Sequence, residues 1–352
     1  MLLDWRKNNM EFLQGSKKEF FDFIGSIGAK DKIGILTHND LDGIASAVFL
    51  EDILNIKNLK VDFIDFLSYE KGMFDKQTLE LKKKKITKLF LTDLNEDADV
   101  GGFEKLSKKI DCFLIDHHPG FVEGKNKINT ESSDCATLTI YYLGEEIVDY
   151  KKWNWLACAS IVSEMSYKKK ENLEFVQKSY PEVTLENIYK SVPSEISKRI
   201  ASACIYYFDD LKKVYALVKK KDLKDLEEIH KETNKLIEDL VKEYKNNSEF
   251  YPEQNLYFYD FKKELKGKCG SIVSTKVSFR EPEKTFIVVS YQGEGIKISA
   301  RNQSGNVNVN ELMKKGIRGL DEAIAGGHVR ASGANIKRED LENFMGNILE
   351  KN

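Results

Sequence analysis

The sequence predicts an α/β protein in three stretches: a mostly parallel, doubly wound sheet domain over residues 1–165, a helical connector over 166–249, and a second, smaller α/β domain over 250–352. Three observations predict it. Short apolar runs, Ile33 to Thr37, Leu89 to Thr92 and Ile110 to Ile115, alternate with helical patterns and each stops on polar residues. The stretch from Ser166 to Asn247 shows only helical periodicity in charged sequence. Beyond Pro252, strand-like runs return.

In order, apolar residues at helical spacing (Phe12, Leu13, Phe20, Phe21, Phe23, Ile24, Ile27) predict a lead-in helix from Trp5 to Ile27, stopped by Gly28. The strand Ile33 to Thr37 enters a polar loop, His38 to Gly43, and then an apolar helix from Ile44 to Leu54. Val61 to Phe66 alternates as a strand does, and a polar helix through Leu79 and Leu81 leads into Lys82 to Lys85. The strands ending at Thr92 and Ile115 deliver Asp93 and Asp116, and helices at Ala136 to Leu143 and Trp153 to Met165 complete the domain. The connector carries helical segments at Ile200 to Leu211, Val214 to Val218 and Ile229 to Tyr244. The last domain has strands at Leu256 to Phe261, Thr285 to Ser290 and Ile296 to Ala300, and helices at Val309 to Lys315 and Arg338 to Leu349.

The bulk properties narrow the function. The chain has 352 residues, 41% of them hydrophobic, enough for a sizeable core in two or three domains. Lys and Arg total 55 against 57 for Asp and Glu, so no global basic field draws it to nucleic acid or membrane, and an anionic substrate must be captured at a site. The five cysteines, Cys112, Cys135, Cys158, Cys204 and Cys269, are scattered without a Cys-x-x-Cys pair. They argue against a disulfide framework or zinc site and point to the reducing cytoplasm. The first residues lack a secretory pattern, and no apolar run approaches the roughly 18 residues of a membrane span.

The polar ends of the runs carry the chemistry. In an open parallel sheet all strand C-termini share one edge, where ligands bind. His38-Asn39-Asp40-Leu41-Asp42-Gly43, Asp93 and Asp116-His117-His118 therefore converge. Mixed carboxylate and imidazole ligands suit Mn²⁺, with Mg²⁺, Co²⁺ or Fe²⁺ as competitors. A pair of ions about 3.5–4 Å apart would bind a phosphoryl oxygen and convert a bridging water to hydroxide, the chemistry of phosphate-ester hydrolysis. Each cluster alone has a structural reading: Asp-x-Asp-Gly caps helices and turns, and paired histidines can sit at a solvated strand end. Their coincidence weighs against it. Four of the five histidines, His38, His117, His118 and His328, fall in such motifs, and His230 is left to a solvated helix face. The lysine runs and the aromatic cluster Tyr251, Tyr257, Phe258, Tyr259 and Phe261 are assigned to solvated faces and core packing.

This arrangement resembles the DHH phosphoesterase family, named for the triplet Asp116-His117-His118. The first motif of the family matches His38 to Gly43, its second Asp93 and its third the triplet, while Ala325-Gly326-Gly327-His328 resembles the glycine-rich motif of its associated C-terminal domain. The resemblance implies two Mn²⁺ ions, with His38 and Asp40 on one, Asp42 and His117 on the other, and Asp93 bridging. Asp116 would orient the histidines and His118 would face substrate phosphate. It further implies substrate contacts from Ser299, Arg301, Asn302, Gly326, Gly327 and His328. There are two departures: Glu164 stands where the family has another metal-binding Asp, and Ala325 replaces a third glycine.

The function expected is that of a Mn²⁺-dependent phosphodiesterase acting on single-stranded nucleic-acid ends or short oligonucleotides through a dinuclear centre and a bridging hydroxide. A RecJ-like single-stranded DNA exonuclease, a cyclic-dinucleotide phosphodiesterase, and a catalytically lost binding subunit of a replication or repair assembly are the alternatives. Oligomeric state is left open.

Overall fold

The computed structural model of the chain describes residues 10–68, 72–119 and 124–350. It divides into two compact units, Met1–Glu227 and Glu228–Asn352.

The first unit runs α1 (Lys17–Gly25), β1 (Ile33–His38), α2 (Leu41–Ile56), β2 (Val61–Leu67), α3 (Met73–Lys84), β3 (Lys88–Thr92), α4 (Val100–Ser107), β4 (Asp111–Asp116), β5 (Lys127–Asn129), α5 (Ala136–Gly144), α6 (Asn154–Ser163), α7 (Lys170–Ser179), α8 (Val192–Tyr206) and α9 (Leu211–Lys220). The helix α10 (Leu223–Asn247) contains the boundary between units. Five strands form one sheet in the order β2-β1-β3-β4-β5, every pair parallel. Every residue of β1 is buried, as expected of a parallel strand covered on both faces. Alternate side chains feed two cores. Phe90 and Phe113 meet Phe20 and Phe23 of α1 with ring centroids 5.2 to 6.3 Å apart, while Leu89, Leu91 and Leu114 pack with Phe74, Leu81 and Leu106 on the opposite face. The strand order reverses between β1 and β3, so the C-terminal ends of β1, β3 and β4 flank a topological switch point.

Some boundaries differ from the sequence expectation. Ser16 caps α1 by accepting from the Glu19 amide at 3.2 Å, so this helix starts at Lys17; Trp5 to Asn9 of the expected lead-in helix lie outside the described residues. The expected polar loop after β1 is short, because Asp40 caps α2 and the helix begins at Leu41. The predicted helical run Ile200 to Leu211 is broken between Tyr206 and Leu211, where α8 ends and α9 begins.

The second unit carries β6 (Glu249–Tyr251), β7 (Leu256–Glu264), α11 (Cys269–Ser278), β8 (Thr285–Gln292), β9 (Gly295–Arg301), α12 (Val309–Gly316), β10 (Ile324–His328), β11 (Ala331–Lys337) and α13 (Leu341–Leu349). Its six-stranded sheet has the order β10-β11-β9-β8-β7-β6, antiparallel except for β7 with β8. Met313 of α12 and Phe344 of α13 pack with Ile287, Ile296, Ile298 and Ile336, whereas α11 packs on β8 and β9. Among the described residues, no helix is long and apolar enough to cross a membrane.

Candidate metal centre

The site is built on strand ends. His38 closes β1, and the chain turns at once into α2, with Asp40 as its N-cap accepting from the Gly43 amide at 3.2 Å. This turn requires glycine at 43: a Cβ there would stand 2.1 Å from the His38 carbonyl oxygen. Below it, Thr37 Oγ1 donates to the Gly43 carbonyl at 2.9 Å, and Ser46 Oγ meets Thr92 Oγ1 at 2.8 Å, tying β1, α2 and β3 together. Asp93 leaves β3 in the left-handed region, φ 56°, its amide donating to Ile115 at 3.0 Å. A non-glycine residue there is strained, and it aims a buried carboxylate at both neighbouring strand ends.

Two groups of potential ligand atoms result, His38 with Asp40 and Asp93, and Asp93 with His117 and His118, each with its atoms within 4.8 Å of one another. His38 Nδ1 lies 2.7 Å from Asp40 Oδ2 and 3.6 Å from Asp93 Oδ2. His117 Nε2 lies 3.3 Å from Asp93 Oδ1 and 3.8 Å from Asp42 Oδ2. His117 is 5% exposed, and neither of its ring nitrogens makes an aligned hydrogen bond among the described residues. A buried imidazole with no such bond, its Nε2 facing two carboxylates and its Nδ1 without a partner among the described residues, fits a metal ligand. His118 is held differently: its Nδ1 pairs with Asp116 Oδ1 at 2.8 Å, and Asn129 donates to its carbonyl at 3.0 Å.

Asp42, fully buried in the first turn of α2, is anchored by the start of α5. It accepts from the amides of Ala136 (2.8 Å) and Thr137 (3.0 Å) and from Ser160 Oγ (2.6 Å). Glu164 caps α6 at its C-terminus. Burial, then the negative charge of Asp42, Asp40 and Asp93, pushes its carboxyl up to about 8, so it shares the field of the cluster. Burial and the Asp42 and Asp40 carboxylates likewise push Asp93 up to about 6. Burial opposes protonation of His38 and His117, but the facing carboxylates outweigh it and raise both to about 10. So dense a group of carboxylates and imidazoles is an environment that divalent cations neutralise.

The remaining sequence-selected residues lie in the second unit. Arg301 ends β9, with Nε donating to Thr275 Oγ1 (3.1 Å) and Nη2 to Ser271 Oγ (2.7 Å), both on α11, and Nη1 to its neighbour's carbonyl at Ala300 (2.8 Å). Among the described residues no carboxylate pairs with it. Ser299 is buried on the same strand. Asn302 is fully buried, its Oδ1 accepting from Ser304 Oγ and the Gly305 amide, so it shapes the loop after β9. Gly326, Gly327 and His328 lie exposed on β10. Gly327 has φ 145°, and a Cβ there would stand 2.5 Å from the Ala331 carbonyl oxygen. Sequence reasoning missed Ser160, Asn129, and the Ser271 and Thr275 pair. Each is a short polar side chain whose role depends on a contact across the fold rather than on local spacing.

Fold and site together define a two-unit α/β protein with a strand-end cluster fit for divalent metal. The chain belongs to the DHH phosphoesterase family: the model of the DHH family, N-terminal domain, matches residues 32–188, and that of the DHHA1 domain matches residues 255–351. No curated protein matches the sequence. Among solved structures, exonuclease RecJ bound to manganese aligns with TM-score 0.72 at 13% identity, covering 95% of this chain and 93% of that one. RecJ from Thermus thermophilus in complex with Mn²⁺ aligns with TM-score 0.71 at 13% identity over 95% of this chain, which spans 54% of that longer protein. CDC45 from Entamoeba histolytica aligns with TM-score 0.51 at 10% identity, covering 95% of this chain and 96% of that one. At such identities the likeness is one of fold.

Proposed function

We propose that the protein is a metal-dependent phosphodiesterase that hydrolyses single-stranded nucleic-acid ends or short oligonucleotides, working with two Mn²⁺ ions. The observation that carries this reading is His117, buried and without an aligned hydrogen bond, facing the carboxylates of Asp93 and Asp42. His38 and Asp40 would hold one ion, Asp42, His117 and Glu164 the other, and Asp93 both. When bound, the ions supply positive charge for phosphoryl oxygens and activate water.

The chain's own groups do the rest. The α5 amides and Ser160 fix Asp42 so that it cannot rotate away from the cluster. Asp116 takes Nδ1 of His118, leaving Nε2 for a phosphate oxygen and holding the ring in one orientation. In the second unit, the guanidinium of Arg301 is held in place by neutral groups and pairs with no carboxylate among the described residues, which suits a substrate phosphate. In the same unit the β10 glycines would let a phosphate approach the backbone, with His328 exposed at the strand end. Such a nucleotide-gripping unit favours a nucleic-acid strand over a bare phosphate. An end-labelled strand incubated with Mn²⁺ tests this: a ladder of shortened products supports it. Intact strands, in a preparation shown to bind Mn²⁺, would overturn it.

A further inference from the structure

Helices α10 and α11 of the second unit border a groove of about 550 Å³ lined by Glu238, Val241, Lys242, Lys245, Lys276 and Arg280. Lys242 and Lys245 are three residues apart on one face of α10, while Lys276 lies in the last turn of α11 and Arg280 in the turn just beyond its end. None of these four cations has a side-chain hydrogen bond or ion pair among the described residues, in a chain where many surface lysines are paired. Lys245 and Arg280 also border the adjoining hollow, where the carboxylate of Glu281 already pairs with Lys284. Among the described residues, Glu238 is thus the acidic group lining the two hollows that no ion pair engages. Helix C-termini favour cations by about 0.3–1 kcal/mol each, which rationalises each residue singly but not four of them turned onto one groove. Partial desolvation, then the charge of Arg280, lowers the pKa of the exposed Lys245, so the two cations sense one another. Phe279, next to Arg280, is 68% exposed.

We propose that this groove binds the sugar–phosphate backbone of a single-stranded nucleic acid, with Phe279 offering a stacking surface for a base. Unpaired cations along a groove beside an exposed aromatic ring are what sequence-independent strand binding requires. The groove is distinct from the residues around Arg301 and the β10 glycines, and the inference rests on nucleic acid being the substrate.

The test is fluorescence anisotropy with a phosphorothioate-linked dT20, which resists hydrolysis, in Mn²⁺ across a salt series. The triple variant Lys242→Glu, Lys245→Glu, Arg280→Glu is expected to bind at least tenfold more weakly. Its slope of log affinity against log salt should be shallower by about 2, since each lost single-strand phosphate contact removes about 0.7. Phe279→Ala should weaken binding severalfold with the slope unchanged. A charge-matched control, Lys82→Glu, Lys108→Glu, Lys109→Glu, should stay near wild type. Unchanged affinity and slope in the triple variant, or an equal loss in the control, would overturn the groove while leaving strand cleavage by the wild type standing. Competition by poly-glutamate as strong as by unlabelled strand would assign the groove to an acidic protein instead. A wild type that neither binds nor cleaves any strand would overturn both this inference and the function it rests on.

Discussion

Asp93 is the residue on which the site turns. It is buried, sits in a left-handed conformation and faces His38 on one side and His117 on the other. Its position after an apolar run was legible in the sequence; its strained backbone was not, because that conformation follows from the pairing of β3 with β4. The same applies to Asp42, whose place in the motif is plain but whose anchors, the amides of Ala136 and Thr137 and the hydroxyl of Ser160, come from helices roughly a hundred residues away. The electrostatics yield a pH prediction. His38 and His117 are raised to about 10 and Glu164 to about 8, so the folded metal-free protein holds protons that the unfolded chain has released. The stability that His38 and His117 contribute is therefore full below the ordinary imidazole range and is lost as pH rises towards about 10, and the buried Glu164 adds a penalty that grows as pH rises towards about 8. The Tm of chelated protein should fall steadily from pH 6 to pH 9. Mn²⁺ must displace the same protons, so its affinity should rise over that range, with proton release measurable by calorimetry in buffers of different ionisation enthalpy. A Tm that climbs with pH in the metal-free protein would contradict the assignment.

At the scale of elements, two turns fix the geometry. The passage from β1 into α2 admits no side chain at position 43. Gly43→Ala should push α2 away from His38, cost more than about 2 kcal/mol in denaturant unfolding and weaken Mn²⁺ binding with it. The β10–β11 hairpin depends likewise on Gly327, whose φ and close approach to Ala331 exclude a Cβ. Gly327→Ala should raise KM for a nucleotide substrate tenfold or more and leave Mn²⁺ binding unchanged, because it lies in the other unit. The apolar strands and α2 were readable from periodicity because burial on both faces leaves nearly continuous runs. The hairpin was not, since Ile324-Ala325-Gly326-Gly327-His328 reads as glycine-rich loop and gains its strand identity only by pairing with β11, which in turn pairs with β9. Helix α11 was missed for a related reason: its small and hydroxyl residues give no clear stripe, although it carries Ser271 and Thr275, which hold Arg301.

At the scale of the molecule, the parallel-sheet unit carries the cluster of carboxylates and imidazoles, and the mixed-sheet unit carries Arg301 and the exposed β10 glycines. Sequence patterning reached this division because the two kinds of strand run lie apart in the chain. The interior of α10 as the boundary between units was beyond it, since one continuous helical period runs through Leu223 to Asn247. Metal should act as a structural ligand of the first unit: Mn²⁺ at a hundredfold excess over its Kd should add about 2.7 kcal/mol, removable by chelator, and the gain should vanish in Asp93→Ala. The measurement to make is degradation of RNA and DNA strands, from dinucleotides to 25-mers and labelled at either end, by wild type and by Asp93→Ala with and without Mn²⁺. Mn²⁺-dependent ladders from the wild type, and none from Asp93→Ala, are the expected result, with length and sugar dependence separating an oligoribonuclease from an exonuclease that resects DNA. Full activity of Asp93→Ala, or strands left intact by a wild type that binds Mn²⁺, would contradict the assignment of this site to phosphodiester hydrolysis.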